Sequence, residues 1–264
     1  MSNAATAPPR PALRAPADVR SYFRAWESRA DPALAGELDE EAHTYLAYHA
    51  RRYLHLVRTV DALLRERGRL ERPRLLDVGP NYQTELLRAA HPEGVVDTLG
   101  FAHPSFPPRP EEEHVHFDLN DAYHRDRWPQ AAQHDVVVMA EVIEHLYTSP
   151  VAVLECASTW LVPGGAVVIQ TPNACALHKR LRMLAGRNPY EPIRGTRDNP
   201  GHFHEYTPSE LYAAAAEAGL RVLSCDVTNY FEPATPGARL YNEAGRLLPP
   251  GLRHGITICL ARRK

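Results

Sequence analysis

The chain has 264 residues, enough for one large domain with an appendage and a sizeable core. Its formal net charge of −2 offers no bulk attraction to nucleic acid or an anionic membrane, and no apolar run suits a bilayer span or a signal sequence. The four cysteines, Cys156, Cys175, Cys225 and Cys259, lie far apart without C-x-x-C spacing, which argues against a disulfide framework or zinc ribbon and for free thiols in the cytoplasm.

Residues 1–16 are rich in Ala and Pro and are expected to be disordered. A helix over 18–29 would turn Tyr22, Phe23 and Trp26 to one side. A longer helix is expected over 40–67, because Leu46, Ala50, Tyr53, Val57, Val60 and Leu64 fall at alternating steps of four and three. Arg51, Arg52, Arg58 and Arg65 lie off that stripe. Residues 17–69 thus read as a helical extension packed on a sheet edge, with a cap over the functional cleft as the alternative.

From residue 74 strands and helices alternate, the pattern of a parallel sheet with helices on both faces. Strands are expected at 74–79, 95–100, 114–119, 135–141, 166–171, 221–229 and 255–262, and helices at 84–90, 150–160 and 209–218. Leu161-Val162-Pro163-Gly164-Gly165 reads as a turn. Residues 171–207 hold no strand and only a short basic amphipathic piece at 176–184. A connection of that length is usually functional, and it is read as a substrate lid.

The stretch from Val136 to Leu146 concentrates the chemistry. A buried strand, Val136-Val137-Val138-Met139-Ala140, runs into Glu141, Glu144 and His145 at i, i+3 and i+4. A helical turn after Ala140 would place all three on one face. They would then stand at the carboxyl end of a strand, where open α/β sheets bind ligands.

Leu75-Leu76-Asp77-Val78-Gly79, Phe117-Asp118-Leu119, Glu141-Val142-Ile143-Glu144-His145-Leu146, the Leu161–Gly165 turn, Thr207-Pro208-Ser209-Glu210-Leu211 and Glu217-Ala218-Gly219-Leu220 follow one another along the chain. In that order and spacing they resemble class I S-adenosylmethionine-dependent methyltransferases over roughly residues 70–264. The resemblance implies a doubly wound, Rossmann-like α/β fold with a seven-stranded, mostly parallel sheet whose seventh strand, 255–262, is antiparallel. It implies a cofactor, S-adenosylmethionine, across the carboxyl ends of the first, second and fourth strands. Matching positions are Asp77, Gly79, Pro80, Asn81 and Thr84 in the first loop, Gly100 after the second strand, and Ala140 at the end of the fourth. Asp118 and Leu119 would meet the adenine, although an Asx turn explains Asp118 equally simply.

Two features depart from that family. Only Gly79 remains of the usual glycine repeat, so Asn81 is expected to supply a positive φ and Thr84 to cap the next helix. No acid ends the second strand, and Asp97, within it, reads as a locally bonded residue.

A narrower similarity links Glu-x-x-Glu-His, Thr171-Pro172-Asn173 and a His ahead of Tyr206-Thr207 to two metal-dependent O-methyltransferase branches, those of small-RNA 3′ ends and of the ubiquinone pathway. The implied metal ligands are Glu141, Glu144, His145 and His202, with His204 as fallback for the last. Such ligands suit Mg²⁺ or Mn²⁺ and tolerate Zn²⁺. His145 or His204 would take the proton of the metal-bound hydroxyl; in a metal-free alternative His145 alone would act as general base. The run His178-Lys179-Arg180 with Arg182 and Arg187 either binds a substrate anion or is a solvated helix face. The expected reaction is methyl transfer to a hydroxyl of a small molecule. RNA is disfavoured by the charge and the lack of an RNA-binding module, no membrane partner is indicated, and a non-catalytic binding protein is the remaining alternative.

Overall fold

The computed structural model describes residues 13–27, 40–130, 132–196, 200–232 and 236–263. The expected disordered stretch lies outside them up to residue 12, as do residues 28 and 29 of the first expected helix. Two helices come first, α1 (Pro16–Glu27) and α2 (Glu40–Glu66). There follow β1 (Arg74–Val78), α3 (Tyr82–Ala90), β2 (Val95–Gly100), β3 (His114–His116), β4 (His134–Ala140), α4 (Pro150–Thr159) and β5 (Leu161–Pro172). The chain continues through α5 (Leu177–Leu184), α6 (Pro208–Glu217), β6 (Leu220–Thr228), α7 (Pro236–Ala244) and β7 (Gly255–Arg262).

The seven strands form one sheet in the order β3-β2-β1-β4-β5-β7-β6. The first five are parallel, and β7 runs antiparallel to both its neighbours, as expected of this fold. Strands β1, β2, β4, β5 and β7 bury both faces, which explains their apolar runs. Leu76, Val78, Val137, Met139, Val167 and Ile169 meet Leu154, Ala157 and Leu211 from α4 and α6 on one side. Leu75, Val136, Val138, Ala166 and Val168 meet Leu56, Val60, Leu64 and Leu87 from α2 and α3 on the other. The strand order reverses direction between β1 and β4, and the switch point opens at their carboxyl ends.

Several expectations need correction. Helix α2 lies over the face of the central strands, not at the sheet edge, because its buried stripe is wider than the six expected residues and includes His49, Arg52, Leu56 and Leu63. Arg52, expected off the stripe, is fully buried. Leu161–Gly165 is no free turn: Leu161 pairs with His134 before the register shifts, so β5 starts there. Strand β3 stops at His116, since Asp118 starts a 3-10 turn at Leu119–Tyr123. Helix α7 was not foreseen. No described helix is long and apolar enough to cross a membrane.

Candidate active site

A cavity of about 1470 Å³ occupies the switch point. Gly79, Gly100 and Glu141 form its floor at the ends of β1, β2 and β4. Phe101, Phe117, Leu119 and Leu146 give it apolar lining, and Asp118 and Asn120 line it as well. Tyr45, Tyr48 and His49 from α2 close another side, and Lys179, Arg182, Glu191, Arg194 and His202 face it from the 171–207 connection.

The first loop achieves its turn with a single glycine. Gly79 sits at φ +77°, and its N–H donates to the Leu99 carbonyl at 2.8 Å. A Cβ there would stand 3.2 Å from Val142 Cγ2. Asn81 does not supply a positive φ; at φ −157° it is extended and is itself the N-cap of α3. Its side chain accepts from Gln83 N at 2.8 Å, while Thr84 Oγ1 accepts from Asn81 N at 2.9 Å. Asn81 and Thr84 form a capping box, so Thr84 is the third helical residue and not the cap. Asp77 is buried beneath and accepts from Gln83 Nε2 and Thr84 Oγ1, at 3.0 and 2.6 Å. Burial raises its carboxyl to about 7 despite those two hydrogen bonds.

Of the expected cofactor residues, Gly79, Asn81, Gly100, Asp118 and Leu119 line the cavity. Asp77, Pro80, Thr84 and Ala140 do not, and they shape the loop from behind it. Asp118 Oδ1 makes an Asx turn with Asn120 N at 2.9 Å, and Asn120 Oδ1 in turn accepts from Tyr147 N at 2.8 Å. Asp97 is a locally bonded strand residue, taking Arg74 Nε at 2.6 Å and His134 Nε2 at 2.8 Å.

Beyond Ala140 the chain does not turn into an α-helix. Glu141 takes a left-handed conformation, φ +58°, and a short 3-10 turn follows at Ile143–His145. That geometry separates Glu141 from the other two. The group whose ligand atoms lie within 4.8 Å of one another is Glu144, His145 and His202, so the structure brings together three of the four expected ligands. Backbone bonds fix this arrangement, since the Glu144 carbonyl accepts from Phe203 N at 2.8 Å. His204 is not beside the group: its Nε2 is 3.1 Å from Glu210 Oε1 and its side chain is half exposed.

A divalent cation fits the donors. Glu144 is fully buried; Oε2 accepts from Thr171 Oγ1 at 3.0 Å and Oε1 has no hydrogen-bond partner among the described residues. Each imidazole is held through Nδ1, His145 by the Gly201 carbonyl at 2.8 Å and His202 by Glu205 Oε1 at 3.0 Å. A carbonyl only accepts, so Nδ1 of His145 carries the proton and Nε2 keeps a lone pair, as a ligating histidine requires. Burial lowers both imidazoles, His202 to about 4, so both are neutral near pH 7. Burial, and next the Glu141 charge, pushes the Glu144 carboxyl well above its ordinary range. A bound cation would reverse that shift.

Sequence reasoning missed two buried cations. Arg52 donates through Nε to His49 Nδ1 at 3.0 Å and stacks 4.5 Å over the Tyr53 ring. Its two terminal nitrogens have no partner among the described residues. Burial opposes its charge, but Tyr53 and Glu141 keep it protonated. Lys179, read as part of an anion-binding run or a solvated helix face, is buried in an ion pair with Glu205. No helical repeat signals either, though an Arg and a Lys next to apolar positions are the trace each leaves.

The family model for a methyltransferase domain matches residues 45–225, and the chain belongs to that family. A probable S-adenosylmethionine-dependent methyltransferase of Mycolicibacterium smegmatis is 36% identical over 88 residues, 33% of this chain and 29% of that relative, so the chain spans less than a third of its length. Among solved structures, the magnesium protoporphyrin IX methyltransferase of Synechocystis PCC 6803, with bound S-adenosylhomocysteine, aligns at TM-score 0.51 and 13% identity over 92% of this chain and 95% of that one. A putative methyltransferase of Thermobifida fusca aligns at TM-score 0.50 and 18% identity, over 89% and 93%. At these identities the likeness is one of fold, the Rossmann-like methyltransferase fold.

Proposed function

We propose that this protein transfers the methyl group of S-adenosylmethionine to a hydroxyl oxygen of a small molecule, at a site where Glu144, His145 and His202 hold a divalent cation. The observation that carries the reading is the cluster of those three residues, two of which, His145 and His202, line a cavity also lined by Gly79, Phe101, Phe117 and Leu119. Phe101, Phe117 and Leu119 would sandwich the adenine with Asp118 at its edge, and Gly79 would let the backbone approach the methionine portion.

When bound, the cation supplies Lewis-acid charge that eases deprotonation of the acceptor hydroxyl. Glu141 lines the cavity, and one of its oxygens is buried without a partner among the described residues. Burial raises its carboxyl while Arg52 and Lys179 oppose that rise. Glu141 thus takes the hydroxyl proton as the oxygen attacks the methyl carbon. The carbon–sulfur bond breaks and its electron pair stays on sulfur, leaving S-adenosylhomocysteine. Orientation and charge placement are the chain's main contributions.

Glu144→Ala and His202→Ala should each abolish transfer, at least 100-fold, and leave S-adenosylhomocysteine binding nearly intact by calorimetry. Loss of cofactor binding in both variants would count against the assignment. Full activity in metal-free, chelator-treated protein would favour His145 as a base acting without metal. No calorimetric heat with S-adenosylhomocysteine would favour a non-catalytic protein.

A further inference from the structure

Helix α5 and the loop carrying His202 are separate parts of the 171–207 connection, joined through one side chain, Glu205. Lys179 is the only buried residue described for α5, and its Nζ is ion-paired with Glu205 Oε2. The other carboxylate oxygen, Oε1, lies 3.0 Å from His202 Nδ1. Both acid and lysine side chains are under 10% exposed, so water does not compete for these bonds.

We infer that the Lys179–Glu205 pair is a latch that sets the tautomer of His202, an inference that rests, for its consequence on ligation, on the metal reading above. An ionised carboxylate can only accept, so Nδ1 of His202 must donate and Nε2 is left with the lone pair. Lys179 holds the second oxygen and so fixes where this acceptor stands. Seating α5 thereby places the acid that keeps the proton on His202 Nδ1 and leaves a ligating nitrogen free. Glu205 and Lys179 are positioning residues and act through His202.

The charge of Lys179 gives a test that plain loss of packing does not mimic. In Glu205→Gln the amide would turn its oxygen to the ammonium and its NH₂ to His202 Nδ1, which selects the opposite tautomer, with the proton on Nε2. In Lys179→Met/Glu205→Gln no ammonium directs the amide, so its oxygen can again accept from Nδ1, and no buried charge is left unpaired. Long-range ¹⁵N–¹H spectra of metal-free protein, with His202 assigned by the loss of its signals in His202→Ala, read the tautomer directly. Mn²⁺ titration followed by electron paramagnetic resonance reads the consequence. The wild type should show the proton on Nδ1. Glu205→Gln should show it on Nε2 and bind Mn²⁺ about 10–100-fold more weakly, and the double variant should recover most of both. An unchanged His202 tautomer in Glu205→Gln, or no recovery in a folded double variant, overturns the latch. A wild type that binds no Mn²⁺ while the tautomers respond as described would overturn the metal reading and leave the latch standing.

Discussion

Arg52 shows how far a single side chain can escape a periodic reading. It follows Arg51 in a helix whose apolar stripe steps by three and four, and a basic neighbour of that stripe is normally solvated. Here it is wholly buried, and its charge persists because Glu141 and several tyrosine oxygens surround it. Two guanidinium nitrogens lack partners among the described residues, an expensive state. Arg52 does not line the cavity, but its charge holds the Glu141 carboxyl down. With Glu141 as the proposed base, Arg52→Met should move the acid limb of the activity profile to higher pH. Initial rates across pH measure this, and an unmoved limb would uncouple Arg52 from Glu141.

The elements were more legible than their ends. Every expected strand is present, because both faces of each central strand are apolar and few other structures bury such runs. The ends are decided by caps and single φ angles. Glu141, expected on a helix, is turned left-handed, and the acidic pair at i and i+3 consequently splits between the cavity floor and the ligand cluster. The first loop likewise takes its shape from Asn81 as a cap, a role that a search for glycines overlooks. Asn81→Ala should cost about 1 kcal/mol of stability in denaturant unfolding. It should also weaken cofactor binding, since Asn81 lines the cavity and the start of α3 would fray. A cofactor affinity unaltered in a destabilised variant would make the capping box purely structural.

At the scale of the whole molecule, stability should carry the mark of Asp77. Its carboxyl lies near 7 in the folded chain, driven up by burial, against about 3.8 for the ordinary group. Between those values the folded chain holds a proton that the unfolded chain has released. Stability from this residue is thus full at low pH, falls as pH rises from about 4 to about 7, and levels off above, a change of a few kcal/mol. Asp77→Asn should flatten that slope, gaining stability relative to the wild type at pH 8 and little at pH 5, in urea titrations at the two pH values.

The candidate site was legible where one short segment carried it: Glu144 and His145 are adjacent, and His202 stood out ahead of Tyr206-Thr207. It was not legible where it depends on loops meeting. Nothing in Lys179 or Glu205 alone says that they find each other, and His202 and His204 were separable only once Glu205 and Glu210 each claimed one of them.

The order β5-β7-β6 also bears on how the chain must assemble. Strand β6 is made before β7 but hydrogen-bonds in the sheet only through it. During synthesis on a ribosome, residues 220–228 therefore wait, unpaired, until 255–262 have emerged and slotted between the two. The same arrival secures the cavity, for the His254 carbonyl receives Asn173 N at 2.7 Å and so pins the start of the connection that bears Lys179 and His202. A nascent chain stalled short of that point would hold its β-rich core with its reactive end unfinished.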